Sequence, residues 1–291
     1  MTMGHRTLQG ILQARLGAIA IRHLGMLEAS GPAILDNHAR EPFQLTAWEP
    51  YLGRKPDPIR YGSALALRLT PASAAADLAR TLARDWTHLS EPGESGAMTM
   101  IPELDERGDA IARQTQAQGL STGQILLTPN AQALSLWLSE VVHSPRPRGN
   151  SGGSPLWPEF TGDAQAAQRL GLSPLAFVQY AYCQCYRLVG LGVDTPPPPD
   201  RFVASTPLEQ EMLWALIRLI DRFDSPDPTA CFEAGYHLSV RVEHWFGKLD
   251  PLPWGPTVSA SPPTVLLLSG IVWGLEHLLV GLLSHAAPTS L

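Results

Sequence analysis

Apolar positions recur along this chain at helical spacing, in blocks separated by proline-rich breaks. Apolar residues at helical spacing predict an opening helix over Leu8 to Leu27. Residues 42–58 contain four prolines and read as irregular. Two short helices are predicted over Tyr61 to Leu69 and Ser73 to His88, divided by Pro71. The second is alanine-rich and carries Leu78 and Leu82 on one side. Gln124 to Thr128 has the β-branched and leucine content of a short strand. Ala131 to Val142 then places Leu134, Trp137, Leu138 and Val141 on one helix face. A small α/β domain is the expected product.

The pattern changes at His143 to Pro158, where Pro, Gly, Ser and Asn dominate, the composition of a flexible linker. Beyond it only helical periodicity remains. Ser173-Pro174 opens one helix, with proline at the first helical position, where its missing N–H is no loss. Thr206-Pro207-Leu208-Glu209 is a capping box that opens a second, reaching Phe223. Asp227-Pro228 begins a third, to about Phe246, and Pro263-Thr264 the last. Four long helices with proline-rich turns predict a bundle. The expected organisation is therefore a domain over 1–143, a linker over 144–158 and a bundle over 159–291. The fold class is α+β, mainly helical.

Thr264 to Ser284 is apolar enough and long enough to cross a bilayer. Glu276 and His277 interrupt it and neither Lys nor Arg flanks it, which predicts a helix buried in protein and no membrane partner. Apolar residues make up 44% of the 291 residues and charged residues 16%, so a core can be buried. Residues 1–150 hold 14 basic and 14 acidic side chains, and residues 151–291 hold 7 and 13. The net charge of −6 thus lies wholly in the second half. Three cysteines do not make a disulfide framework; with no secretory pattern at the start, a reducing, cytoplasmic setting is expected.

Motifs for chemistry are scarce. The glycines at 149–153 lack the strand and the Gly-Lys-Ser/Thr of a phosphate loop, and GxSxG and HExxH are absent. Glu233, His237 and His244 can share a helix face, but read as surface polar residues rather than metal ligands. Cys183 and Cys185, two apart on a helix, point about 200° apart and read as buried thiols. Trp137, Trp214 and Trp245 fall at apolar helical positions and are expected in the core. Arg54, Lys55, Arg60 and Arg68 form the densest basic cluster, and Arg146 with Arg148 a second. Either can serve as a phosphate contact or as a solvated face.

Phe177-Val178-Gln179-Tyr180-Ala181-Tyr182-Cys183-Gln184 resembles the opening helix of the DALR-type anticodon-binding domain of arginyl-tRNA synthetases. Gln179, Tyr180 and Ala181 match its Val-Gln-Tyr-Ala-His-Ala-Arg pattern; Tyr182 stands where His is usual and Gln184 where Arg is usual. The closing Gly281-Leu282-Leu283 and Ala287-Pro288 are similar to the family's ending. Tyr61, Ser63, Ala66 and Leu69 resemble a helix of the family's amino-terminal additional domain, with Arg60 and Ala64 replacing its Asp and Asn. The catalytic domain that lies between these two in a synthetase, with its HIGH-type and KMSKS-type signatures, is replaced by the linker.

The resemblance implies a non-catalytic adaptor that binds tRNA and presents an arginine tRNA to another enzyme, with no cofactor and no metal. The RNA contacts it implies, with the neighbouring basic residues, are Tyr61, Ser63, Arg54, Lys55, Arg60 and Arg68 in the first half. In the second they are Gln179, Tyr180 and Arg187. DNA is not an expected partner. The alternative is a protein-interaction module that reuses the scaffold without RNA, which the acidic second half favours.

Overall fold

The computed structural model describes residues 7–29, 51–53, 58–88, 104–147, 155–158, 160–190, 200–224, 227–248 and 261–288. The chain divides into two compact units, one within residues 4–134 and one within 135–291. The division falls inside a helix, α5, Ala131–His143, ahead of the sequence-predicted boundary at 143.

The first unit begins with α1, Leu8–Ala29, whose Leu8, Ile11, Leu12, Leu16, Ile19 and Ala20 are buried. It continues through β1 (Tyr51–Leu52), β2 (Tyr61–Ser63), α2 (Leu65–Leu69) and α3 (Ala72–His88). Then come α4 (Glu106–Arg113), β3 (Thr115–Gly119) and β4 (Ile125–Pro129). The four strands form an antiparallel sheet in the order β1-β2-β4-β3. Ile125, Leu127 and Pro129 of β4 alternate inward, as a half-buried strand requires. The β3–β4 hairpin turns through Gly123, whose φ of +80° favours glycine.

The helix predicted over Tyr61 to Leu69 is instead a strand followed by a shorter helix. Tyr61, Gly62 and Ser63 pair with Leu127, Leu126 and Ile125, and the first two also pair with Leu52 and Tyr51. A segment with a partner on each side satisfies its backbone in the sheet, and that outweighs helical spacing over so few residues. The Ser63 hydroxyl accepts from the Leu65 backbone N–H and starts α2.

An arginine fastens this unit internally. Arg15 of α1 is 1% exposed, pairs with Asp109 of α4 at 2.8 Å and donates to the Trp86 carbonyl of α3 at 3.3 Å. Its guanidinium lies over the Trp86 ring, 5.1 Å from the centroid. The indole N–H of Trp86 in turn donates to the Thr115 carbonyl at 2.8 Å, joining α3 to the sheet.

The second unit holds the short α6 (Gln165–Arg169) and four long helices: α7 (Pro174–Gly190), α8 (Pro207–Arg222), α9 (Pro228–Phe246) and α10 (Pro262–Glu276). A π-helical turn, His277–Leu282, follows α10. α8 packs on α9, and α7 on α9 and α10; α10 also packs on α8. Every residue of α10 from Thr264 to Leu275 is buried. The capping box at Thr206 forms as the sequence requires, and its Glu209 does more than cap. Glu209 is 4% exposed, accepts from the Ser205 and Thr206 N–H groups, and accepts from the Thr264 hydroxyl at 2.8 Å. One buried carboxylate therefore ties the starts of α8 and α10.

Some described residues of the stretch read as a flexible linker contact this unit. Leu156 N–H donates to the Leu283 carbonyl at 3.0 Å, and the Leu156 carbonyl lies 2.8 Å from His285 Nε2. Arg146 pairs with Glu276 at 3.2 Å.

Helix α3 and strand β3 meet at Gly119, where an added Cβ would lie 2.5 Å from the Ala79 carbonyl carbon and the Arg80 nitrogen. Both are backbone atoms and cannot rotate away. Gly119→Ala is expected to destabilise the protein by roughly 1–3 kcal/mol in urea unfolding. Gly190→Ala, with open space around its Cβ, is expected to leave the midpoint nearly unchanged.

Candidate nucleic-acid interface

The sequence-predicted contacts fall in contrasting places. Tyr61 and Ser63 are fully buried, at 0% exposure, in the centre of the sheet, where a large polyanion cannot reach them. Arg60 and Arg68 are exposed at either end of the β2–α2 segment. Arg54 and Lys55 lie outside the described residues.

Helix α7 carries the rest. Its apolar residues Phe177, Val178, Ala181 and Cys185 are buried, so the opposite side of the helix is turned outward. The chain after α10 lies along part of that side. Ser284 adopts φ +56° and redirects the backbone. The carbonyls of Ala286 and Pro288 then accept from Gln179 Nε2 at 3.1 Å and Cys183 Sγ at 2.8 Å. Gln179 is thereby engaged within the protein.

Tyr180, Gln184 and Arg187 remain, at spacings of four and three residues, on one stripe of α7. Gln184 Nε2 donates to the Tyr180 hydroxyl at 2.7 Å and steadies the ring. Tyr180 and Gln184 are half-buried and Arg187 is exposed. The structure thus brings together a phenol ring, an amide and a guanidinium. These are the groups that stack on a base, read a base edge and hold a phosphate. Gln184 was legible only as a departure from a motif; its spacing of four from Tyr180 was the available signal.

Among the described residues no group of three or more His, Cys, Asp or Glu side chains gathers to hold an ion. Cys183, Cys185 and Cys231 are buried, and burial pushes each thiol above its ordinary range, that of Cys231 to about 11. A thiol so raised is a poor nucleophile at neutral pH. Trp137 and Trp245 occupy the core as expected, but Trp214 is only half-buried, with Arg218 placed 5.6 Å from the ring centroid.

Comparison with known proteins finds no match to a family model, to a curated protein or to a solved structure.

Tyr182, stacked on Tyr186 at 5.7 Å, is 2% exposed; burial, and then the charge of Glu276, push its phenol up to about 12. The unfolded chain ionises this group near the ordinary value of 10.0, while the folded chain keeps the proton to about 12. Stability is therefore lost as pH rises through that window. Tyr182→Phe is expected to flatten the fall in urea midpoint between those two values; a slope identical to the unsubstituted protein would contradict the assignment.

Proposed function

We propose that this chain is a non-catalytic RNA-holding adaptor whose helical unit meets RNA along the outward stripe of α7. The observation that supports it most is the alignment of Tyr180, Gln184 and Arg187 on one outward helix side, backed by a fully buried core. Such a stripe offers a stacking ring and a phosphate contact from a rigid element, which favours precise placement.

The resemblance of the α7 sequence to an anticodon-binding helix makes tRNA, and an arginine tRNA first, the RNA to test. The exposed Arg60 and Arg68 of the first unit supply a further phosphate-facing surface. Burial of all three thiols in reduced form suits a cytoplasmic setting.

A second reading rests on a different observation. Leu156 is 47% exposed and the adjoining Trp157 74% exposed, with its ring edge-on to His285 at 4.5 Å. An outward Trp is among the residue types that dominate protein-binding hot spots. On this reading the partner is a protein and the acidic helical unit repels RNA.

Filter retention of tRNA over a salt series separates the two. Binding is expected to weaken steeply with salt, in proportion to the phosphates neutralised. Arg187→Glu is expected to lower affinity roughly tenfold, the loss of about one charge-assisted contact. Absence of tRNA retention at low salt, together with a protein partner that survives nuclease treatment, would establish the second reading instead.

A further inference from the structure

Cys183 of α7 is buried where helix geometry calls for exposure. Phe177, Val178, Ala181 and Cys185 face the core, and at about 100° per residue Cys183 points nearly opposite to them. It is nonetheless only 3% exposed. Its cover is the segment after α10. The thiol donates to the Pro288 carbonyl at 2.8 Å, and Gln179 Nε2, one turn earlier, donates to the Ala286 carbonyl at 3.1 Å. Cys183 is three residues from Tyr180 and four from Arg187, the spacings of neighbours on a helix surface. The Pro288 carbonyl is thus seated at a position flanked by two members of the outward stripe.

The fastening of this segment changes along its length. Up to His285 the backbone holds it. The Leu283 N–H donates to the Leu278 carbonyl at 3.0 Å, the His285 N–H to the Leu279 carbonyl at 2.7 Å, and the Leu283 carbonyl accepts from the Leu156 N–H at 3.0 Å. Ser284, between them, takes φ +56°, a left-handed conformation uncommon for a residue with a Cβ. Beyond His285, among the described residues, Ala286 and Pro288 are hydrogen-bonded by two neutral side chains of α7, an amide and a weakly donating thiol. Backbone pairing is closed to them there, because the amides inside a helix already serve its own carbonyls. A rooted bend followed by a lightly held tip is the construction of a strap that can lift.

We propose that residues 286–288 are an autoinhibitory strap on α7, which lifts about Ser284 when RNA takes the Tyr180–Gln184–Arg187 stripe. A base on the Tyr180 ring and a phosphate on Arg187 require a strand lying along that side of the helix, and the strap backbone occupies its middle at Cys183. Lifting the strap subtracts from RNA affinity, and by linkage bound RNA favours the lifted state to the same extent. The inference rests on the RNA-holding reading of α7 and adds its regulation.

Two variants of the full chain test it, each followed by maleimide alkylation of Cys183, resolved by peptide mass spectrometry, and by filter retention of tRNA. Cys185 and Cys231, both at 0% exposure, are the internal controls. Ser284→Pro forbids φ +56° and leaves every α7 side chain in place. Gln179→Ala removes one of the two ties. Relative to the controls, alkylation of Cys183 is expected to rise roughly tenfold in the first variant and roughly fivefold in the second. Affinity for tRNA is expected to rise by similar factors. Unchanged helical circular dichroism checks the fold; should Ser284→Pro misfold, Gln179→Ala decides. Alkylation no faster than in the parent would overturn the strap. Faster alkylation with unchanged tRNA affinity would overturn its autoinhibitory role and leave the RNA-holding reading standing. Faster alkylation with no tRNA retained by parent or variants would end both readings, whereas tRNA retained by a variant and not by the parent would support both.

Discussion

The helical unit is organised around the burial of α10. A helix apolar on all sides cannot rest on a surface; it must be surrounded. All residues from Thr264 to Leu275 are buried, and the neighbouring α8 comes close because glycine stands at two contact points. A Cβ at Gly270 would lie 3.1 Å from Leu138 and Leu216, and one at Gly274 3.0 Å from Leu216. Pro262–Leu282 is long and apolar enough to cross a membrane by length and composition, yet 67% of its apolar window is buried within the protein, the pattern of a core helix. Each fully buried Leu, Ile or Val there contributes about 1.5–3 kcal/mol.

That burial also decides which sides of the surrounding helices face outward. Once α7 gives Phe177, Val178, Ala181 and Cys185 to the interior, Tyr180, Gln184 and Arg187 are left on its far side. The Glu209 carboxylate fixes how the start of α8 stands against the start of α10, and the inward Met212, Leu213, Leu216 and Ile217 leave Arg218 exposed. Packing thus divides each helix into an inward and an outward side. The matched residues of the α7 motif divide the same way: Ala181 goes to the core, Gln179 to the chain after α10, and Tyr180 stays outward.

The long helices of the second unit were legible because their ends carry chemistry as well as periodicity. Ser173, Thr206 and Asp227 cap as their side chains require, and proline follows each. The strand at Tyr61–Ser63 was not legible, since its stability comes from partners far along the chain. Strand β3, Thr-Gln-Ala-Gln-Gly, and helix α4 were missed altogether. β3 is polar because it is an edge strand, and its fit depends on a glycine against α3. At the candidate site, Tyr180 came from the resemblance of the α7 sequence to an anticodon-binding helix, and Arg187 from its basic charge nearby. The capture of Gln179 by the segment after α10 is a long-range event that no local pattern announces.

Ultraviolet crosslinking of the intact chain to bound RNA, followed by mapping of the modified peptides, tests most directly whether this core presents RNA-holding faces. Modified residues are expected within 174–190, on the outward side of α7. Adducts confined to the first unit, or none anywhere, would contradict the account.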